Sequence, residues 1–313
     1  MRLRPATLED VATVVAIDAA FRPDHPLDPV VERYEWETPE PGVTRERWIG
    51  EADGRAVGYG IVFHHDWAGM TDRNCVAWVG WLPDSTSLLP ALIDHIEGRA
   101  RAMNGSRLQF YCQEDETAVI AALLAAGYRL DALAKVWRLD LHHQRERLLR
   151  KTEESRAAMA AQGIRLIPLS EHAVEDPYRE LYEAWTESRQ DVPRSHEMTP
   201  ISYETFRAWH RSPDFREDRQ WIALDGSRIV AMSFLKYPPA GGLVWTGFTG
   251  SVRSHRGRGI ARAVKMETLA QAIELGVASV STDNDERNAP MLHINEDLGY
   301  ALRPAFADYE KEL

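Results

Sequence analysis

Two glycines set among cations mark the stretch Ser251-Val-Arg-Ser-His-Arg-Gly-Arg-Gly-Ile-Ala261. From Arg253 to Lys265 there are five basic residues and no acid, in a chain of 313 residues with a formal charge of −11. A local positive field in an acidic protein suits an anionic ligand, above all a phosphate. Glycine at 257 and 259 lets the backbone bend and approach an anion where a side chain would collide. The spacing matches neither a dinucleotide-binding fingerprint nor a P-loop, and no Gly-Lys-Ser/Thr follows. A glycine turn with solvated arginines would read the same way, so this stretch alone leaves both readings open.

A second stretch, from Thr282 to Tyr300, offers amides. Asn288 precedes Ala289-Pro290, a good helix start. Met291, Ile294 and Leu298 then share one face, and Gly299 closes the helix. Asn284 and Asn288 are amide side chains at a strand exit, able to pair with an amide-bearing ligand. Proton-transfer candidates lie on or beside the polar, proline-broken segment Ser188 to Pro200: Glu187, Asp191 and His196. Against them stands the ordinary fate of a surface acid or histidine, which is solvation.

The elements that must hold these residues follow from pattern. Leu243 to Gly250 is apolar and aromatic, and Ala263 to Leu275 carries an apolar stripe. The order is strand, glycine turn, helix. That places four unpaired N–H groups and a partial positive charge at the turn. The same unit occurs twice. Arg2-Leu-Arg-Pro matches Arg165-Leu-Ile-Pro at an offset of 163. The hairpin turn Asp53-Gly54 matches Asp225-Gly226, and Gly127-Tyr128 matches Gly299-Tyr300, both at 172. A period this long means duplicated domains. Helices between strands predict an α/β fold with a mixed, partly parallel sheet in each unit. The expected division is 1–141, a charged linker helix over 142–162, and 163–313.

The copies differ where chemistry is expected. At the 172 offset Arg256 falls on Asp84, Gly257 on Ser85, Arg258 on Thr86 and Gly259 on Ser87. The first copy lacks both glycines and both arginines and gains an acid. It reads as a structural partner or a wall of the substrate cleft. The second copy carries about nine extra residues before its hairpin, where a loop could cover a cleft or be a plain insertion.

Composition excludes several classes. The negative charge argues against non-specific nucleic-acid binding and against an anionic membrane surface. No apolar run is long enough to span a bilayer, and no signal-peptide core follows Met1. Two cysteines, Cys75 and Cys112, make no disulfide framework, so a cytoplasmic setting is expected. His142-His143 lacks metal-ligand spacing, and no metal is expected.

Together these residues resemble the GNAT acetyltransferase superfamily, in the tandem arrangement of mycothiol synthase as far as architecture goes. Arg256, Gly259 and Ala261 fill that family's Gln/Arg-x-x-Gly-x-Gly/Ala turn. Asn288, Met291, Ile294, Leu298, Gly299 and Tyr300 fit its Asn, apolar stripe and Gly-aromatic ending. The resemblance implies acetyl-coenzyme A, or another acyl-coenzyme A, bound by the second copy. Backbone groups of Thr249, Gly250 and Ser251 would run beside the pantetheine arm. Arg256 and the N–H groups of Gly257, Arg258, Gly259, Ile260 and Ala261 would hold the diphosphate, and Asn288 and Asn284 the pantetheine amides. It further implies direct attack of an amine on the thioester, with the oxyanion held by an N–H near Phe248 or Thr249. The sequence departs from the family at Asn295, where many members carry a tyrosine acid, and in the absence of a carboxylate from Leu243 to Ser251. Glu187 and Asp191 then stand as base candidates beside His196. The expected acceptor is a small-molecule amine, and the expected assembly a monomer or homodimer. A non-catalytic coenzyme A sensor and a protein N-acetyltransferase are the alternatives.

Overall fold

Each repeat alternates short strands of β-branched and aromatic residues with amphipathic helices, and the computed structural model shows both kinds of element. It describes residues 2–67 and 69–313; Met1, where the reading of the N-terminus began, lies outside them. The first repeat runs β1 (Arg2–Pro5), α1 (Val11–Phe21), α2 (Pro29–Glu37), β2 (Val43–Ala52), β3 (Arg55–His65), β4 (Asn74–Trp81), α3 (Leu89–Ala102), β5 (Arg107–Gln113), α4 (Thr117–Ala125) and β6 (Arg129–Asp140). Then comes α5 (Leu141–Ala161). The second repeat runs β7 (Ile164–Pro168), α6 (Pro177–Arg189), α7 (Tyr203–Trp209), β8 (Gln220–Asp225), β9 (Arg228–Lys236), β10 (Val244–Ser251), α8 (Ile260–Glu274), β11 (Ser279–Asp285), α9 (Ala289–Leu298) and β12 (Ala301–Glu312). Shifting β5 and β6 by 172 residues lays their bounds on those of β11 and β12.

The sheet is mixed, and it is continuous. Its order is β1-β2-β3-β4-β5-β12-β6-β11-β10-β9-β8-β7. Only β4 with β5 and β10 with β11 run parallel; the other pairs are antiparallel. The last strand of each repeat is exchanged. β12 pairs with β5 of the first repeat, from Arg107↔Glu312 to Phe306↔Gln113. β6 pairs with β11 of the second, from Ser279↔Asp140 to Asp285↔Ala134. β6 and β12 also pair with each other. Where the sequence suggests one sheet per repeat, the two sheets share their centre. The physical gain is that no strand edge is left bare between the repeats.

Both parallel pairs splay. β10 and β11 are in register only at Val244↔Val280 and Trp245↔Ser281. Beyond Trp245, β10 keeps β9 on one edge and leaves the other edge free. A bulge sits between Thr246 and Phe248. Gly247 fills it because a Cβ there would lie 2.3 Å from the Phe234 ring. The backbone therefore comes closer to that ring than any side chain allows.

Helices cover the sheet and close its cores. Leu92 and Ile96 of α3, both fully buried, pack with Val62 and Phe110; burial of such a side chain stabilises by about 1.5–3 kcal/mol. Ala263 and Val264 of α8 do the same over Ile222 and Val230. α5 is more than a solvated linker. Its Arg156 holds the buried carboxylate of Glu267 on α8 through two bonds of 2.8 Å. Its Arg147 donates to the Leu298 carbonyl at 3.0 Å and to that of Asp297, satisfying the last turn of α9. Cys75 and Cys112 are free and buried. No helix among the described residues is long and apolar enough to cross a membrane.

Candidate active site

The splay beside β10, the glycine turn and the starts of α8 and α9 enclose a cavity of about 510 Å³. The structure brings nine of the residues chosen for cofactor binding onto its wall: Thr249, Gly250, Ser251, Arg256, Gly257, Gly259, Ile260, Ala261 and Asn288. Gly257 and Gly259 have φ of +72° and +78°, a region that L side chains rarely adopt. No protein atom lies within 4 Å of a Cβ built at either, so the space over the turn is open for a ligand. Gly259 is the N-cap of α8 and no side chain caps that helix. Its first N–H groups face the cavity with the partial positive charge of the helix behind them. Asn288 stands at the N-cap of α9 but makes no capping bond. Its amide is on the wall and uncommitted.

Other chosen residues are placed elsewhere. Arg258 turns away from the cavity and donates to Gln162 Oε1 at 3.2 Å. Asn284 turns inward, and its Oδ1 accepts from Asn295 at 2.7 Å. Neither meets the cavity, because packing rather than the turn itself decides which way these side chains point. Thr249 lines the cavity, with its hydroxyl paired to Ser233 Oγ at 2.8 Å. Its hydroxyl is engaged there, and its main chain borders the cavity.

The proposed bases fare differently again. Asp191 lies on the cavity wall against Arg253 at 2.7 Å and Arg256 at 2.5 Å. The hydrogen bond from Arg253, then that from Arg256, push its carboxyl down to about 2. An acid held that low is a weak base while both arginines are on it. It instead shows that these guanidiniums hold an anion. Glu187 accepts the N–H of Arg253 at 2.8 Å and fixes the start of the turn. His196 pairs with Glu310 at 2.8 Å, beside Asp131 and Asp72, in a separate acidic hollow. All three candidates are thus engaged with protein partners at the positions they occupy.

Sequence reading missed a buried chain behind the splay. Lys265, counted above with the phosphate-facing cations, points into the core and is fully buried. Its Nζ donates to Asn295 Oδ1 at 2.8 Å, and Asn295 donates on to Asn284. Burial pushes the ammonium down to about 7. Asn295 is itself fully buried. It orders the interior where the resembling family places an acid.

A second cavity, about 660 Å³, lies on the other side of the bulge, between the repeats. Tyr34, Glu40, Arg45, Phe63, His65 and Trp78 come from the first repeat; Trp185, Arg189, Trp209, His210, Phe234 and Gly247 from the second. Val192 and Phe248 line both cavities, so the two meet at the bulge. Glu40 is held by Arg45 at 3.1 Å and by the Trp209 indole. Burial lowers the pKa of His65, opposed in part by Glu40. His210 donates from Nδ1 to the Phe206 carbonyl at 2.8 Å, and burial pushes it down to about 4. Its Nε2 is buried and has no hydrogen-bond partner among the described residues.

The corresponding place in the first repeat is filled. Asp84 faces Arg55 at 3.5 Å. A short 3-10 turn, Thr86–Leu88, replaces the glycines. Asn288 corresponds to Glu116, which holds the Arg22 guanidinium at 2.7 Å. Arg22, Tyr59, Trp78 and Tyr111 leave a hollow of only about 190 Å³.

The fold is shared with solved structures. A GCN5-related N-acetyltransferase from Sphaerobacter thermophilus is 19% identical over 99% of this chain and 95% of its own, with a TM-score of 0.71. A tandem GNAT protein from the clavulanic acid biosynthesis pathway is 16% identical over 99% and 98%, with a TM-score of 0.76. A GNAT-family acetyltransferase from Colwellia psychrerythraea is 11% identical over the whole of both chains, with a TM-score of 0.60. At these identities the likeness defines the fold: the chain has the GNAT acetyltransferase fold in tandem. No protein-family model matches the sequence, and neither does any curated protein.

Proposed function

We propose that the protein is an acyl-coenzyme A-dependent N-acyltransferase that uses acetyl-coenzyme A and acylates a small-molecule amine. The observation that carries this reading is the meeting of two cavities at Phe248, one built for a phosphate-bearing donor and one for an acceptor. The residues present fit the donor. The free edge of β10 from Thr249 to Ser251 offers main-chain groups to an amide-bearing arm, as an added strand would take them. The Asn288 amide faces the same space. N–H groups from Gly257 to Ala261, with Arg256, suit a diphosphate. Acetyl-coenzyme A supplies the thioester that an amine attacks.

The chain's own part is positioning and charge. The bulge at Gly247 frees the main chain at Phe248 to donate an N–H to a developing oxyanion; a fixed donor of this kind lowers a barrier by about 3 kcal/mol. His65 is the proton acceptor of the cleft, because burial keeps it neutral while Glu35 and Glu40 are paired with Arg45. Asn295 donates no proton, so the thiolate departs unassisted by α9. The test is release of free thiol from acetyl-coenzyme A with a panel of amines. Thiol release that requires an amine, with acylated amine seen by mass spectrometry, supports the proposal. Calorimetric binding of acetyl-coenzyme A with no amine-dependent thiol would make the protein a coenzyme A sensor instead.

A further inference from the structure

The acceptor cleft has more to say about its occupant. Four cations line it: Arg45, Arg189, Arg194 and Lys236. Arg45 is matched by Glu40 and Glu35, and Lys236 lies 3.8 Å from Asp214. Arg189 and Arg194 have no carboxylate partner among the described residues. Arg189 stacks over the Trp185 ring, 4.5 Å from its centre. Arg194 donates only to the carbonyls of Gln190 and Arg189. Burial, with Arg194 close by, pushes Arg189 down to about 10. A half-buried guanidinium beside a second one, in a protein of charge −11, is unfavourable until an anion joins it.

The position of the pair matters as much as its charge. Val192 lies between the two arginines in the chain and borders the donor cavity as well as the acceptor cleft. An anion held there sits beside the junction where the amine must react. The remaining wall is aromatic, with Trp185, Phe206, Trp209, Phe215 and Phe234 on the side of the second repeat. Flat apolar walls bind a flat apolar body, and guanidinium forks bind carboxylates in two-point contacts.

We infer that the acceptor is an amine that also carries a carboxylate, bound by Arg189 and Arg194, with an aromatic body among the tryptophans and phenylalanines. This rests on the acyl-transfer reading, which it narrows from amines at large to amino-acid-like amines. The probes are phenylalanine and tryptophan, each against its own carboxamide, which keeps the amine and the ring and removes the charge. Thiol release is measured with acetyl-coenzyme A saturating. The acids should show kcat/KM at least about tenfold above the amides, mainly through KM, since hydrogen bonds to charged groups are the strong ones. In Arg189→Gln and in Arg194→Gln that ratio should fall towards one, and Arg189→Lys should restore part of it. Equal turnover of acid and amide by the unaltered protein would overturn the inference, as would a ratio unmoved in both glutamine variants.

A separate titration follows Trp185 and Trp209 fluorescence with the same probes and acetyl-coenzyme A omitted. A response to the acids that exceeds the amides and depends on Arg189, without thiol release, would keep the carboxylate subsite and defeat the acyl-transfer reading. No response and no turnover with any probe would defeat the carboxylate subsite.

Discussion

Asp191 occupies the glycine turn as an internal anion, bridging Arg253 and Arg256. A phosphate entering there must compete with it. Asp191→Asn is therefore expected to bind acetyl-coenzyme A severalfold more tightly by calorimetry, with a steeper loss of affinity in salt. Weaker binding would mean that the carboxylate aims the arginines rather than blocking them. Lys265 gives a second residue-scale outcome. Its folded pKa is about 7 against an ordinary 10.5. Below pH 7 the ammonium is charged in both states, and the cost of burying it is present in full. Between pH 7 and 10.5 the unfolded chain binds more protons, so stability rises with pH. Lys265→Met should abolish this contribution, which melting midpoints from pH 6 to 10 would reveal as a flatter slope than that of the unaltered protein. In the proposed reaction the neutral imidazole of His65 is the active form, and burial keeps it neutral down to a lower pH than usual. Activity should fall as pH drops through that lowered pKa. His65→Gln should reduce kcat by about a hundredfold and remove that limb of the pH profile.

At the scale of elements, the two cavities, proposed for donor and acceptor, meet at the bulge in β10. Gly247→Ala would put a methyl group against the Phe234 ring, and that ring lines the acceptor cleft. The expected result is a higher KM for the amine with acetyl-coenzyme A binding unchanged. A loss of donor binding alone would show that the splay, rather than the cleft, had moved. Here the limits of the sequence are plain. The glycine turn was legible because left-handed φ at Gly257 and Gly259 is a local demand that few other residues meet. Asn288 was legible from the helix that follows it. The orientation of Arg258, Asn284 and Lys265 was not, because a charge on a turn or helix carries no mark of which neighbour will cover it. Of the second cavity only the first repeat as a possible wall and the loop as a possible cover were legible, because its lining comes from separate segments around residues 34–45, 63–65, 78, 185–194, 206–215, 234–236 and 247–248.

At the scale of the molecule, the offset of 172 residues announced two copies, but not that they trade their last strands. β6 and β12 have the same length and the same place in each repeat, so no local pattern says which sheet each joins. Residues 163–313 expressed alone would leave β11 without β6 and β12 without β5. That fragment should be a dimer or an aggregate in sedimentation, and mixing it with residues 1–162 should restore a soluble pair. A stable monomeric fragment would contradict the exchange.

Because hydrogen bonds run unbroken from β5 through β12 and β6 to β11, the repeats cannot swing apart like jaws. The width of the gap between them is set when the chain folds. The stretch between α6 and α7, whose Val192 borders both cavities, belongs to no strand and can lift without tearing a ladder. In the proposed reaction, selectivity by size would fall to this rigid frame.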